Sequence, residues 1–150
     1  MNKTISQRKA QSGSTLLEAL IAILIFSFGI LAIVGMQAAS ISASTEAKYR
    51  SDANMLANQL LGVMQSSDPA TLSTVFAGSG GSGGAGYNDW MTRYVSAGSV
   101  KLPGVATYPP SVTVDVATGL VTIQVFWLSP ADTSGTPHNF TLVSRIVKDS

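Results

Sequence analysis

The feature that most constrains this chain is a long apolar run near its N-terminus. Residues 19–36 are nearly all Ile, Leu, Ala, Val and Phe, and no charged residue occurs over residues 19–45. In a helix that rises about 1.5 Å per residue, this run covers most of the roughly 30 Å hydrocarbon core of a bilayer. A basic leader with Lys3, Arg8 and Lys9 precedes it. The pattern predicts a membrane helix whose N-terminus stays in the cytoplasm, by the positive-inside rule.

One carboxylate, that of Glu18, lies at the mouth of the apolar run. An unpaired carboxylate at the centre of a bilayer costs about 2.5–3.5 kcal/mol, so a partner for the charge is expected. The Gly13–Ser14 junction lies just before the run, and cleavage there would remove only the hydrophilic leader. The new α-amine at Ser14 would lie one helical turn from Glu18 on the same face. That amine, on this subunit or on a neighbour, is the partner that the spacing predicts.

Two other interpretations of the N-terminus stay open. An ordinary single-pass anchor explains the apolar run and its basic flank, but not the spacing of Gly13, Ser14 and Glu18. A conventional signal peptide is cut at small residues after its apolar region, here near Ala39 or Ala43. That cut would release a soluble domain from the membrane.

The leader resembles the class III signal of type IV prepilins and of the related type II secretion pseudopilins. The resemblance implies that a prepilin peptidase cuts after Gly13, that the new amine of Ser14 is methylated, and that Glu18 guides assembly. Ser14 departs from the family pattern, in which this position is usually Phe. The resemblance also implies an inner-membrane protein with its N-terminus in the cytoplasm, which moves into a pilus fibre at the cell surface on assembly.

The helical pattern continues beyond the membrane run and predicts one helix from about Thr15 to Gln65. Its second half has an apolar face with residues recurring every three or four positions, which is typical of an amphipathic helix: Tyr49, Ala53, Leu56, Leu60 and Val63. The segment 66–69, Ser-Ser-Asp-Pro, is the predicted stop. Three small residues spaced by four, Gly35, Ala39 and Ala43, form either a track for close helix crossing or ordinary membrane-helix positions.

The residue pattern of the C-terminal half predicts a small antiparallel sheet. Residues 78–86 are almost entirely Gly and Ser and predict a flexible loop, followed by a short helix capped by Asn88. Alternating apolar residues predict strands over 112–116 and 121–127, and a last strand over 140–147. The predicted fold is α+β and pilin-like, with the long N-terminal helix packed on a small antiparallel sheet in meander order.

Three further segments, 27–37, 49–64 and 115–127, resemble the minor pilins of the pilus-modification type. The organisation this implies is a leader over 1–13, a transmembrane and assembly helix over 14–40, and a globular domain over 41–150. The partners it implies are the prepilin peptidase, other minor and major pilins, the inner-membrane assembly platform and the membrane. A minor pseudopilin of a type II secretion system carries the same leader and stays the nearest alternative.

The sequence has no residue pattern typical of a catalytic or metal-binding site, so no enzymatic activity, cofactor or metal is expected. There is no cysteine, and the single histidine, His138, lies in a Pro-rich loop and is interpreted as solvated. No His, Cys, Asp and Glu cluster has the spacing of metal ligands. Without residues 1–13 the chain has six basic and eight acidic residues, a net charge of −2, so no nucleic acid is expected. A signal-anchored extracytoplasmic binding module is the alternative from another functional class.

Overall fold

The computed structural model describes residues 12–98, 100–130, 132 and 134–147. Most of the predicted leader, residues 1–11, lies outside the described residues. The chain divides into two compact units, residues 1–42 and residues 43–150. Both contain part of one helix, α1, which runs from Ser12 to Gln65. The predicted long helix is therefore confirmed.

In the first unit, α1 is uniformly exposed. Every residue from 13 to 41 is exposed, including large apolar side chains that are 47–73% accessible. The segment Gly13–Gln65 is long and apolar enough to cross a membrane, judged by length and composition. An apolar surface of this extent on all sides is typical of a helix that lipid or other helices cover.

In the second unit, the remainder of α1 buries one face against the core. Its buried side chains are Ala53, Leu56, Ala57, Leu60 and Met64. The predicted apolar face is confirmed except at its end: Val63 is 47% exposed, and Met64 is fully buried in its place. The reason is helical phase. At about 100° per residue, Met64 lies some 20° from the direction of Ala53, whereas Val63 lies some 80° away.

The predicted stop at residues 66–69 is confirmed, and side chains close the helix end. The hydroxyls of Ser66 and Ser67 each donate to the carbonyl of Val63 at 2.8 Å. The Asp68 carboxylate accepts from the amide of Ala70 at 3.0 Å and caps a 3₁₀ turn, Pro69–Thr71. A short helix, α2, follows over Leu72–Phe76.

Five antiparallel strands form one sheet in the order β2-β1-β3-β4-β5. They are β1 (Gly78–Ser79), β2 (Ser82–Gly83), β3 (Ser111–Asp115), β4 (Leu120–Trp127) and β5 (His138–Arg145). Between β2 and β3 lie a helix, α3 (Ala85–Trp90), and a π-helical turn, Met91–Ser96. The predicted meander is confirmed for β3 to β5, and the fold is α+β. One sheet face supplies buried side chains to the core: Val112, Val121, Ile123, Val125 and Trp127.

The interpretation of residues 78–86 as a flexible loop is wrong. These residues form the β1–β2 hairpin, in which Gly78 pairs with Gly83 and Ser79 with Ser82. Gly80 and Gly81 make the two-residue turn with φ of 63° and 83°. Two consecutive positive φ angles match the right-handed twist of the strands and favour glycine at both positions. The glycines therefore build an ordered turn at the edge of the sheet.

The prediction that Asn88 caps the following helix is also wrong. The N-cap of α3 is Gly84, and Asn88 lies inside the helix. Its side-chain amide instead binds back to the hairpin, accepting from the amide of Gly83 at 3.1 Å and donating to the Gly83 carbonyl at 2.7 Å. Tyr87 packs over the hairpin, and its hydroxyl donates to the carbonyl of Pro110 at 2.7 Å. Burial raises the pKa of Tyr87.

Substitution of Gly84 by Ala is expected to destabilise the fold by about 1–3 kcal/mol, as overpacking does. A Cβ atom there would lie 2.3 Å from the carbonyl oxygens of both Thr74 and Val75, so the backbone has to shift. The matched control is Gly62→Ala on α1, where a Cβ meets no atom within 4 Å and helix propensity improves. Thermal unfolding followed by circular dichroism compares the two. Equal stabilities would contradict the close packing of the hairpin.

Candidate processing and assembly site

The three residues of the predicted site lie on the first two turns of α1. Gly13, Ser14 and Glu18 are all helical and exposed. Ser14 and Glu18 are four residues apart, which places them on one face of the helix. Among the residues that the structure describes, none makes a hydrogen bond or ion pair with the Glu18 carboxylate. The carboxylate is thus available to a group from outside the described chain.

The helix around these residues offers little besides apolar surface. Leu16 and Leu17, next to Glu18, are 68% and 61% exposed. The hydroxyl of Ser27 donates to the carbonyl of Ile23 at 2.7 Å, so the helix itself satisfies this polar group, as is usual for Ser in apolar helices. Glu18 is the only ionisable side chain over residues 13–45. Its charge is therefore the one strong electrostatic feature of the exposed segment.

The small-residue positions on the same helix are also open. A Cβ atom at Gly29 or Gly35 meets nothing within 4 Å. Ala39 and Ala43 are exposed as well. Small residues at a helix surface allow another backbone to approach closely. The use of this track for helix crossing stays a prediction.

A second group of polar side chains lies in the unit of residues 43–150, around His138. The interpretation of His138 as a solvated loop residue is wrong, because His138 begins β5 and is partly buried. Its ring stacks on Trp127, with centroids 5.9 Å apart and planes inclined by 19°. Its Nδ1 lies 3.3 Å from Glu46 Oε1, and its Nε2 lies 3.3 Å from Asp132 Oδ2. We call Glu46, Trp127, Asp132 and His138 the His138 cluster.

The His138 cluster is held together by further hydrogen bonds. The indole Nε1 of Trp127 donates to Glu46 Oε1 at 3.1 Å. The other oxygen, Glu46 Oε2, is buried and has no hydrogen-bond partner in the described part of the chain. Backbone and side-chain hydrogen bonds from Ser134, with a smaller contribution from His138, lower the pKa of Asp132. Within the described ranges no group of three or more His, Cys, Asp and Glu side chains could hold a metal ion.

Sequence reasoning missed this cluster, and no local signal could have revealed it. Glu46 and Trp127 are 81 residues apart in the chain. Their contact depends on how α1 packs against β4. Short-range spacing does not encode such a pairing, whereas the spacing of Gly13, Ser14 and Glu18 is local.

Comparison with known protein families gives a match at the N-terminus. The prokaryotic N-terminal methylation motif matches residues 8–34, which include Gly13, Ser14 and Glu18. No curated protein and no solved structure matches the chain. The matched motif is a feature of pilin-type structural subunits and not of an enzyme family. Together with the exposed apolar helix and the α+β fold, it supports a type IV pilin-type protein.

Proposed function

We propose that this chain is a minor pilin subunit of a type IV pilus, cleaved after Gly13 and assembled into the pilus fibre or priming its assembly. The observation that carries the proposal is the methylation motif over residues 8–34. Within it, Gly13 and Glu18 lie on the first two turns of a helix whose residues 13–41 are all exposed. An ordinary membrane anchor needs the apolar helix but has no use for a glycine and a carboxylate at this spacing.

The two units support the proposal in different ways. The helix over residues 13–41 offers an apolar surface suited first to lipid and then to other pilin helices. The unit of residues 43–150 has its own core, formed by the rest of α1 and one face of the sheet. In our proposal, residues 14–40 are the transmembrane and assembly segment, and residues 41–150 are the globular domain.

The processing steps follow from the proposal. Prepilin peptidase removes residues 1–13, and the new amine of Ser14 is the methylation site. Before assembly the protein spans the inner membrane once, with its N-terminus in the cytoplasm. It then passes through the inner-membrane assembly platform and joins other minor and major pilins at the cell surface. The three segments that resemble minor pilins favour a subunit like the type IV pilus modification protein PilV.

The mature protein is expected to begin at Ser14 and to stay membrane-bound until it is assembled. Intact mass of the protein purified from its host measures the start of the chain. Gly13→Val is expected to leave the leader in place, because the side chain blocks the position at which the peptidase requires glycine. Gly29→Val, deeper in the helix where a Cβ also meets nothing, is the control and should be cleaved normally.

Two outcomes would contradict the proposal. A mature chain that starts near Ser40 or Ser44 would identify a conventional signal peptide and a released domain. A chain cut at Ser14 that is found with a secretion complex, and never in sheared pili, would assign it to the type II pseudopilins instead.

A further inference from the structure

We propose that the free edge of β5 is a docking site for an extended strand of a different polypeptide, which adds to the sheet as a sixth strand. Strand β5, His138–Arg145, is the last strand of the sheet and pairs with β4 on one side only. Sheet edges bind extended peptides through main-chain hydrogen bonds, and contacts with alternate side chains give specificity. This inference goes beyond the proposed function and does not depend on it.

The backbone groups that face this edge follow from the pairing of β5 with β4. The amide of Ile146 donates to the carbonyl of Gly119 at 2.9 Å, and the next pair along the ladder is Arg145 with Leu120. Hydrogen-bonded and non-hydrogen-bonded pairs alternate in an antiparallel ladder, so every second residue counted back from Ile146 bonds to β4. The amides and carbonyls of the residues between them point to the free edge: Asn139, Thr141, Val143 and Arg145. In the described part of the chain, no further backbone hydrogen bond reaches these groups.

The opposite edge of the sheet is closed, and the contrast shows that β5 is open. The edge strand there, β2, has two residues, and the side chain of Asn88 bonds to both the amide and the carbonyl of Gly83. Proteins commonly protect an edge with prolines, lysines, bulges or a very short strand. Strand β5 has eight residues, pairs with β4 one to one, and contains neither proline nor lysine. Its edge is therefore long, regular and unprotected.

On the core side of the sheet, the side chains of β5 indicate an apolar partner. Phe140 and Leu142 point to this side, because they pair with the buried residues Val125 and Ile123. They pack against the core but are only partly buried, whereas the inward residues of β4 are 0–2% exposed. An added strand with apolar residues at two alternate positions covers the remaining surface of both side chains. Removal of this apolar area from water favours binding.

On the outer face, one charge indicates that the partner strand is not a second copy of β5. Arg145 is exposed and donates to the carbonyl of Thr118, but forms no ion pair within the described ranges. A carboxylate directly opposite Arg145 on the added strand pairs with its charge. Strand β5 contains no Asp or Glu, so a second β5 cannot supply that carboxylate, and β2 is too short to cover the edge. The occupant is an extended strand with alternating apolar residues and an acidic residue at the Arg145 end.

The probe is a synthetic peptide, Glu-Val-Thr-Ile-Thr-Val-Thr, whose antiparallel register places its Glu opposite Arg145 and its Ile opposite Leu142. The ¹⁵N-labelled full chain in detergent micelles is titrated with this peptide to millimolar concentration. The amide signals of residues 139–145 are expected to shift, and the four amides at the free edge should gain protection from hydrogen exchange. A peptide with proline in place of its second threonine lacks the N–H that faces Thr141 and should bind about tenfold more weakly. Equal binding of the two peptides, or no shift with either, would overturn the proposal.

Variants of the chain test the backbone and the charge separately. Val143→Pro removes an edge N–H that β4 does not use, so the circular dichroism spectrum should persist while peptide binding falls about tenfold. Arg145→Glu should weaken binding of the Glu peptide about threefold, and a peptide with Lys in place of Glu should restore it. The control is Arg93→Glu, which reverses a charge on the π-helical turn and should bind the Glu peptide like wild type.

Two results with these variants would contradict the proposal. If Arg145→Glu bound the Glu and Lys peptides with the same preference as wild type, the predicted charge pairing would be wrong. Self-association of the wild-type chain in light scattering, abolished by Val143→Pro, would assign the edge to a second copy of the chain instead of a different polypeptide.

Discussion

Replacing Glu18 by Gln is expected to leave the chain cleaved and folded but to reduce its incorporation into pili by about tenfold or more. A carboxylate without a partner costs about 2.5–3.5 kcal/mol at the centre of a bilayer, and less at the mouth of an apolar helix. In our proposal, the amine of Ser14 on the same or a neighbouring subunit relieves that cost in the fibre. Even half of this free energy changes a partition by about tenfold. Glutamine is nearly isosteric but carries no charge to pair.

The measurement is the amount of this protein in sheared surface pili from cells that carry each variant. Asp52→Asn is the matched control, because it removes an acidic charge from the same helix. Asp52 forms an i,i+4 pair with Lys48, in which the Lys48 side chain is 66% exposed and the Asp52 side chain is 19% exposed. Such pairs are worth about 0.3–0.5 kcal/mol, so this variant should be incorporated like wild type. Equal incorporation of Glu18→Gln and wild type would contradict the pairing mechanism while leaving the pilin-type motif intact.

The elements that the sequence predicts well are those whose pattern is local. Strand β4 alternates without interruption, and its inward residues Val121, Ile123, Val125 and Trp127 are all 0–2% exposed. The helix stop is encoded within a few residues by the hydroxyls of Ser66 and Ser67 and by the cap of Asp68. In these cases local hydrogen bonding and side-chain periodicity agree with the tertiary packing.

The β1–β2 hairpin could not be predicted in this way, because its order comes from distant partners. By composition, residues 78–86 are indistinguishable from a linker. The ring of Tyr87 leaves no room for a side chain at Gly78, and the carbonyls of α2 leave none at Gly84. These glycines serve close packing, which composition alone does not distinguish from flexibility.

The two polar sites differ in how far the sequence predicts them, because one is encoded by local spacing and the other by tertiary packing. The spacing of Gly13, Ser14 and Glu18 is contained in six residues, and the structure places them on one exposed helical segment. The His138 cluster joins residues from α1, β4, β5 and a loop. The position of His138 in a Pro-rich segment predicts that its side chain is exposed to solvent. Only the packing of α1 against the sheet brings Glu46 to its ring.

Truncation of Met64 to Ala is expected to destabilise the globular unit by about 2–5 kcal/mol, as for other buried Met and Leu residues. Met64 is fully buried at the end of α1, among the core residues that the helix presents to the sheet. The loss leaves a cavity in the core. The thermal midpoint should fall by about 10 °C or more. Near-ultraviolet circular dichroism of the tryptophans measures this midpoint.

The neighbouring residue provides the control, because it separates the predicted face of the helix from the observed one. Val63 is 47% exposed, so Val63→Ala removes little buried area and improves helix propensity. Its effect should stay within about 0.5 kcal/mol. If Val63→Ala were the more damaging variant, the helix would be rotated so that Val63 faces the core. The sheet would then meet α1 on the face that spacing alone predicts, and the burial of Met64 would be wrong.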